Sequence, residues 1–90
     1  MWCILVTRRF EKDFKRLNKE SQKRVLERIK LLKANPFIGL PLRTLPNYYR
    51  LRVGKYRVIY KINEREHVII LLTIFRRKGK GEYRQIRYIK

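Results

Sequence analysis

YYRLRVGKYRVIY, residues 48–60, alternates apolar with polar side chains on either side of a Gly-Lys pair. That alternation is the period of a strand with one buried face, and two such runs parted by Gly54-Lys55 read as a tight hairpin. On the first run Arg50 and Arg52 share a face, opposite Leu51 and Val53. On the second, Arg57, Ile59 and Lys61 share a face, opposite Tyr56, Val58, Tyr60 and Ile62. The larger apolar set is expected to meet the core, so Arg50, Arg52 and Arg57 project together from the uncovered face. Like charges that close on a sheet destabilise it by up to about 1 kcal/mol per pair. Folding gains nothing from such a group, whereas a phosphate bound among the guanidiniums does.

Outward from the hairpin, residues 67–75 form a third strand after a turn at 63–66, which makes an antiparallel meander. Upstream, PFIGLPLRTLP (residues 36–46) holds all three prolines and reads as a connector without an element of its own. Phe10, Phe14 and Leu17 make one helical stripe that Thr7 caps; Asn18 ends that helix and caps a second. In the second, Val25, Ile29 and Leu32 line one face, widened by Leu26 and Leu31, and Pro36 stops the helix near Asn35. Residues 2–7 are apolar and β-branched, a first strand in which Cys3 is expected to pack as a small apolar residue. The expected fold is α+β: an N-terminal strand, then an antiparallel helical hairpin packed on a mostly antiparallel four-stranded sheet, with residues 1–90 as one domain. The basic segment after residue 76 is left unassigned.

The chain of 90 residues has a net charge of +18. A compact domain with that excess repels itself, and anionic partners, nucleic acid first, fit it. Residues 8–35 hold eleven Lys/Arg against four acids, many in helical pairs such as Glu11–Lys15 and Glu20–Arg24. Residues 36–61 hold six Lys/Arg and no acid, so the uncompensated charge belongs to the sheet and tail. One Cys and one His exclude a zinc cluster, and His67 reads as a turn or strand-edge residue. The longest apolar run, residues 68–75, is far short of a membrane span, which points to a cytoplasmic protein with no membrane partner.

NYYRLRVGKYRVIY, the later IFRRKGKGEY and the order of elements resemble the RelE/ParE superfamily of type II toxins over nearly the whole chain. The resemblance implies either cleavage of messenger RNA in the ribosomal A site, as in RelE-like members, or inhibition of DNA gyrase, as in ParE-like ones. RelE enzymes use two basic residues on their second strand, an arginine on the third, an arginine after the fourth and a late tyrosine. These places fall on Arg50 and Arg52, Arg57, Arg77 and Tyr83, which favours the nuclease branch. One departure stands out: the best-known RelE carries lysine at both second-strand places. Arginine does not readily give up its proton, so Arg50 and Arg52 clamp phosphate, and the base is left to Tyr83, the RNA or the ribosome.

The chemistry so implied is attack of the RNA 2′-OH on the adjacent phosphorus, without metal or other cofactor. Arg57 is assigned to the phosphate charge that grows in the transition state, and Arg77 to charge stabilisation and the leaving 5′-oxygen. Tyr83 orients or deprotonates the 2′-OH, or stacks on a base; Lys61 and Arg76 add phosphate contacts to those of Arg50 and Arg52. The implied partners are ribosome and messenger RNA, with a cognate acidic antitoxin. A non-catalytic basic RNA- or ribosome-binding protein is the remaining alternative to the nuclease and the gyrase inhibitor.

Overall fold

A computed structural model of the protein describes residues 2–76. The elements run β1 (Cys3–Val6), α1 (Arg8–Lys15), α2 (Lys19–Ala34), a 3-10 turn (Pro36–Ile38), β2 (Leu40–Pro41), β3 (Tyr48–Val53), β4 (Tyr56–Asn63) and β5 (Val68–Arg76). Arg77, Tyr83 and the unassigned terminal segment lie outside the described residues.

Both helices start where short polar side chains satisfy their first free N–H groups. The Thr7 hydroxyl accepts from the Phe10 N–H at 3.1 Å, and Asn18 accepts from the Ser21 N–H at 2.8 Å. Thr7 also ties α1 to the sheet, its Oγ1 standing 3.0 Å from the carbonyl oxygens of both Leu71 and Leu72. The second helix ends at Ala34, as Pro36 dictates. Of the ion pairs expected on the helices, Glu20–Arg24 forms at 3.3 Å, and Arg9–Asp13 also pairs, at 3.4 Å.

The helical hairpin lies on one face of a mixed sheet ordered β1-β5-β4-β3-β2. Phe10, Val25 and Leu32 are buried against Leu51, Val58, Tyr60, Ile62, Ile69 and Leu71, the inward set of the alternation. Each such aliphatic side chain contributes roughly 1.5–3 kcal/mol by leaving water. Leu26 and Leu31 remain about half exposed, so the helix buries a narrower stripe than expected.

Among the described residues the sheet has five strands, not four. Leu40 and Pro41 pair antiparallel with Arg50 and Tyr49, inside the segment expected to be a plain connector. An edge strand accepts proline because its outward N–H needs no partner. Gly39 lets this strand approach: a Cβ there would lie 2.5 Å from the Tyr60 hydroxyl. That hydroxyl donates to the Pro36 carbonyl at 2.7 Å and accepts from the Gly39 N–H at 3.1 Å. Burial pushes the Tyr60 phenol up to about 12.

At the other edge β1 runs parallel to β5, pairing residues 3–6 with 68–71. An edge strand leaves Cys3 exposed, contrary to the packed position expected of it. His67 is the turn residue it was expected to be: it takes φ 56, its carbonyl accepts from the Cys3 N–H at 2.9 Å, and its ring stacks on Trp2. Beyond Val6 the edge of β5 has no strand beside it among the described residues. Asp13 covers it from α1, accepting the Thr73 hydroxyl at 2.6 Å and the Ile74 N–H at 3.0 Å. Among the described residues no helix is long and apolar enough to cross a membrane.

Candidate functional site

The candidate site grows from the β3–β4 hairpin. Gly54 takes φ +57, which the first central residue of a II′ turn requires, and Val53 then pairs with Tyr56. From there the register places Arg52 opposite Arg57, Arg50 opposite Ile59, and Tyr48 opposite Lys61. All six stand on the sheet face away from the helices, because the other alternate set builds the main core. Directly opposite residues have Cβ atoms about 4.5–5.5 Å apart, which brings Arg52 and Arg57 together, and Arg50 stands diagonal to Arg57, about 7–8 Å away, on the same face.

Within that group the three arginines differ. Arg52 is exposed and Arg50 partly buried, whereas Arg57 is only 6% exposed. Its Nη1 donates to the carbonyls of Gly54 at 3.1 Å and Tyr56 at 2.9 Å. Arg57 therefore forms the floor of the site with its guanidinium held by the turn, and Arg52 forms the rim. A fixed donor costs no reorganisation when charge develops beside it. Between residues 28 and 63 the sequence holds no carboxylate.

Lys61 shares the face but not the group. It stands four residues from Arg57, about 13 Å along the strand, with Nζ 5.4 Å from the Tyr48 ring centroid. Arg76 pairs with Tyr56 and so takes the register of the helix-side set, away from Arg52 and Arg57. The face is also less bare than expected. Tyr48, Ile59 and Leu72 form a second apolar cluster there, joined by Leu42 and Leu45 from the connector and by Ile70 and Phe75. The arginines thus stand at the hairpin end of a face whose other end is packed.

Phe75 is a site neighbour that the strand pattern alone did not reveal. It pairs with Arg57 from the β5 side, so the row across three strands reads Arg52, Arg57, Phe75. A register shift opposite Ile59 and Tyr60 changes the phase of β5, so Ile70, Leu72 and Phe75 face outward while Ile74 faces the helices. Simple alternation from Ile70 would have sent Ile74 outward instead.

Comparison with known proteins bears on this geometry. The sequence model of the family described as ParE toxin of type II toxin-antitoxin system, parDE, matches residues 4–81. A curated relative, the putative toxin RelE1 of Methanocaldococcus jannaschii, is 35% identical over 81 residues, 84% of this chain and 90% of its own. The archaeal RelE–RelB complex from Pyrococcus horikoshii OT3 contains a chain with TM-score 0.78 and 27% identity, covering 88% of this chain and 98% of that one. The isolated E. coli RelE toxin matches with TM-score 0.80 over 97% of this chain and 96% of its own; at 15% identity that likeness is one of fold alone.

Proposed function

This chain belongs to the ParE/RelE family of toxins of type II toxin–antitoxin systems, and from that premise we propose that it is a ribosome-dependent messenger RNA endonuclease. The observation that carries this reading is Arg52 directly opposite Arg57, with Arg50 one step along the same face. Cations so placed stabilise an anion that becomes more negative as it reacts.

The reaction is attack of a ribose 2′-OH on the neighbouring phosphorus. The O2′–P bond forms and the P–O5′ bond breaks, giving a 2′,3′-cyclic phosphate and a free 5′-OH. The 2′-OH proton leaves to a base, and the departing O5′ takes up a proton. Arg50 and Arg52 hold the phosphate; their permanent charge suits them to clamping and not to proton transfer. Arg57, fixed by the Gly54 and Tyr56 carbonyls, offsets the charge of the transition state. One arginine in such a role is worth about 10³-fold or more in phosphoryl chemistry. Arg77 and Tyr83 complete the proposal as the charge stabiliser near the leaving oxygen and the group that orients or deprotonates the 2′-OH. Lys61 and Arg76 serve at most as outlying phosphate contacts.

The ribosome supplies the message and the polyanionic surface that a chain of net charge +18 attracts. RelE proteins of E. coli and P. horikoshii occur in complexes with RelB antitoxins, and this chain is assigned an acidic antitoxin of the same kind and a place in the cytoplasm with its substrate. Purified protein added to translating ribosomes tests the reading: message ends map to occupied codons, and the cuts disappear with Arg57→Ala combined with Arg77→Ala. Whole message, or cutting that survives both changes, counts against it. A second reading, inhibition of DNA gyrase, is favoured by the ParE description of the matching family. It predicts gyrase-dependent DNA breaks on expression while message stays whole.

A further inference from the structure

A second basic site lies around the edge of β3, on the helix side of the hairpin. Because β2 pairs only with Tyr49 and Arg50, the end of β3 has no strand beside it among the described residues. There an open cavity of about 430 Å³ is lined by Arg24, Glu27, Arg28, Arg52, Val53 and Gly54. Three arginines from two elements thus meet one carboxylate. A neighbouring cavity of about 270 Å³ shares Arg24, Val53 and Gly54 and adds Lys55.

Two features point to an anion. Arg28 Nε is buried and has no hydrogen-bond partner among the described residues. A charged group buried with one N–H lacking an acceptor costs free energy, and an anion held against the rest of its guanidinium offsets part of that cost. Arg24 stands close to the hairpin tip, its Nη1 3.6 Å from where a Cβ on Gly54 would lie. Its pair with Glu20 is exposed on both sides, the kind of ion pair that yields readily to a better anion.

The cavity is continuous with the open face. Arg52 belongs to both, and Gly54, which lines the cavity, accepts at its carbonyl from the Arg57 guanidinium. We propose that Arg24, Arg28 and Arg52 form a subsite for an RNA backbone phosphate flanking the one that is broken, so that the RNA strand passes around the edge of β3. This deepens the nuclease reading and rests on it. Guanidinium forks match phosphate oxygens in pairs, which suits them to hold a strand in place without reading its bases.

Binding is measured separately from cutting, so failure of one is distinguishable from failure of the other. The probe is a fluorescent single-stranded oligouridylate with 2′-deoxy sugars, which cannot be cleaved, titrated against full-length protein over a range of salt. The expected result is a salt slope, log K against log[salt], that is shallower by about 0.7 for Arg24→Gln and for Arg28→Gln. Lys33→Gln removes the same charge from the same helix but from a different groove, and leaves the slope unchanged. Thermal melts identify a variant that has lost its fold; Arg24, being exposed, gives the decisive comparison if Arg28→Gln unfolds. Equal slopes for wild type and Arg24→Gln, or an equal loss with Lys33→Gln, overturn the subsite. A crosslinker at Lys55 on programmed ribosomes then separates the sources: crosslinks to message support the proposal, and crosslinks to ribosomal RNA or protein without message overturn it. If no message is cut but the slopes differ as stated, the nuclease reading fails while the phosphate subsite stands.

Discussion

Replacing Arg52 by glutamine is expected to stabilise the fold while weakening the activity. Arg52 faces Arg57 across the hairpin and stands two residues from Arg50, so it takes part in two close repulsions. Unit charges about 7 Å apart in water repel by about 0.6 kcal/mol, so removing both gains about 1 kcal/mol at low ionic strength. With a screening length of about 8 Å at physiological salt the gain falls to about 0.5 kcal/mol, and at about 1 M salt it all but vanishes. In a domain of this size 1 kcal/mol moves the melting temperature by about 4–8 °C. Thermal unfolding of wild type and Arg52→Gln at low, physiological and high salt reads this directly. The same change removes a charged contact to phosphate, and cleavage on ribosomes should fall about tenfold to a hundredfold. An Arg52→Gln protein that melts at or below wild type in low salt, or whose gain is indifferent to salt, refutes the argument that these cations oppose folding.

Three further outcomes follow from the packing. Asp13→Ala leaves the Thr73 hydroxyl and the Ile74 N–H without their acceptor, and urea unfolding should show a loss of about 2–3 kcal/mol, with Asp13→Asn losing less. Tyr60 makes stability fall in alkali. The unfolded phenol ionises near pH 10 while the buried one holds its proton to about 12, so roughly 2–3 kcal/mol at most is lost as pH rises across that window. Tyr60→Phe should lack that component of the alkaline loss while being less stable at neutral pH by about 1–3 kcal/mol, because the Pro36 carbonyl and Gly39 N–H lose a partner. Gly39→Ala drives a methyl group against the Tyr60 hydroxyl and the Arg50 carbonyl, and a loss of about 1–3 kcal/mol in denaturant unfolding would reflect the displacement of β2.

Alternation of apolar and charged residues made the hairpin legible, since a period of two decides which side each of Arg50, Arg52 and Arg57 takes. Thr7, Asn18 and Pro36 made the helix ends legible for an equally local reason. What lay hidden depends on contacts distant in sequence. Leu40-Pro41 has no strand signature and pairs only because Gly39 admits Tyr60 beneath it. Asp13 reads as one more charge on a helix, yet it is buried because β1 stops short and leaves the β5 edge open. Phe75 reaches the site through a register shift that residue types do not announce. The turn of the Arg57 guanidinium toward the hairpin carbonyls is likewise a matter of tertiary geometry, and it alters the site from three projecting cations to a rim and a floor.

The chemical identity of cut ends on ribosome-bound message bears most directly on a phosphate broken among fixed guanidiniums. With purified protein, the upstream fragments should end in 2′,3′-cyclic phosphate and the downstream ones begin with a free 5′-OH; both should vanish when Arg57 and Arg77 are alanine. Ends bearing a 5′-phosphate, or messages left whole on ribosomes while gyrase stalls on DNA, would contradict it.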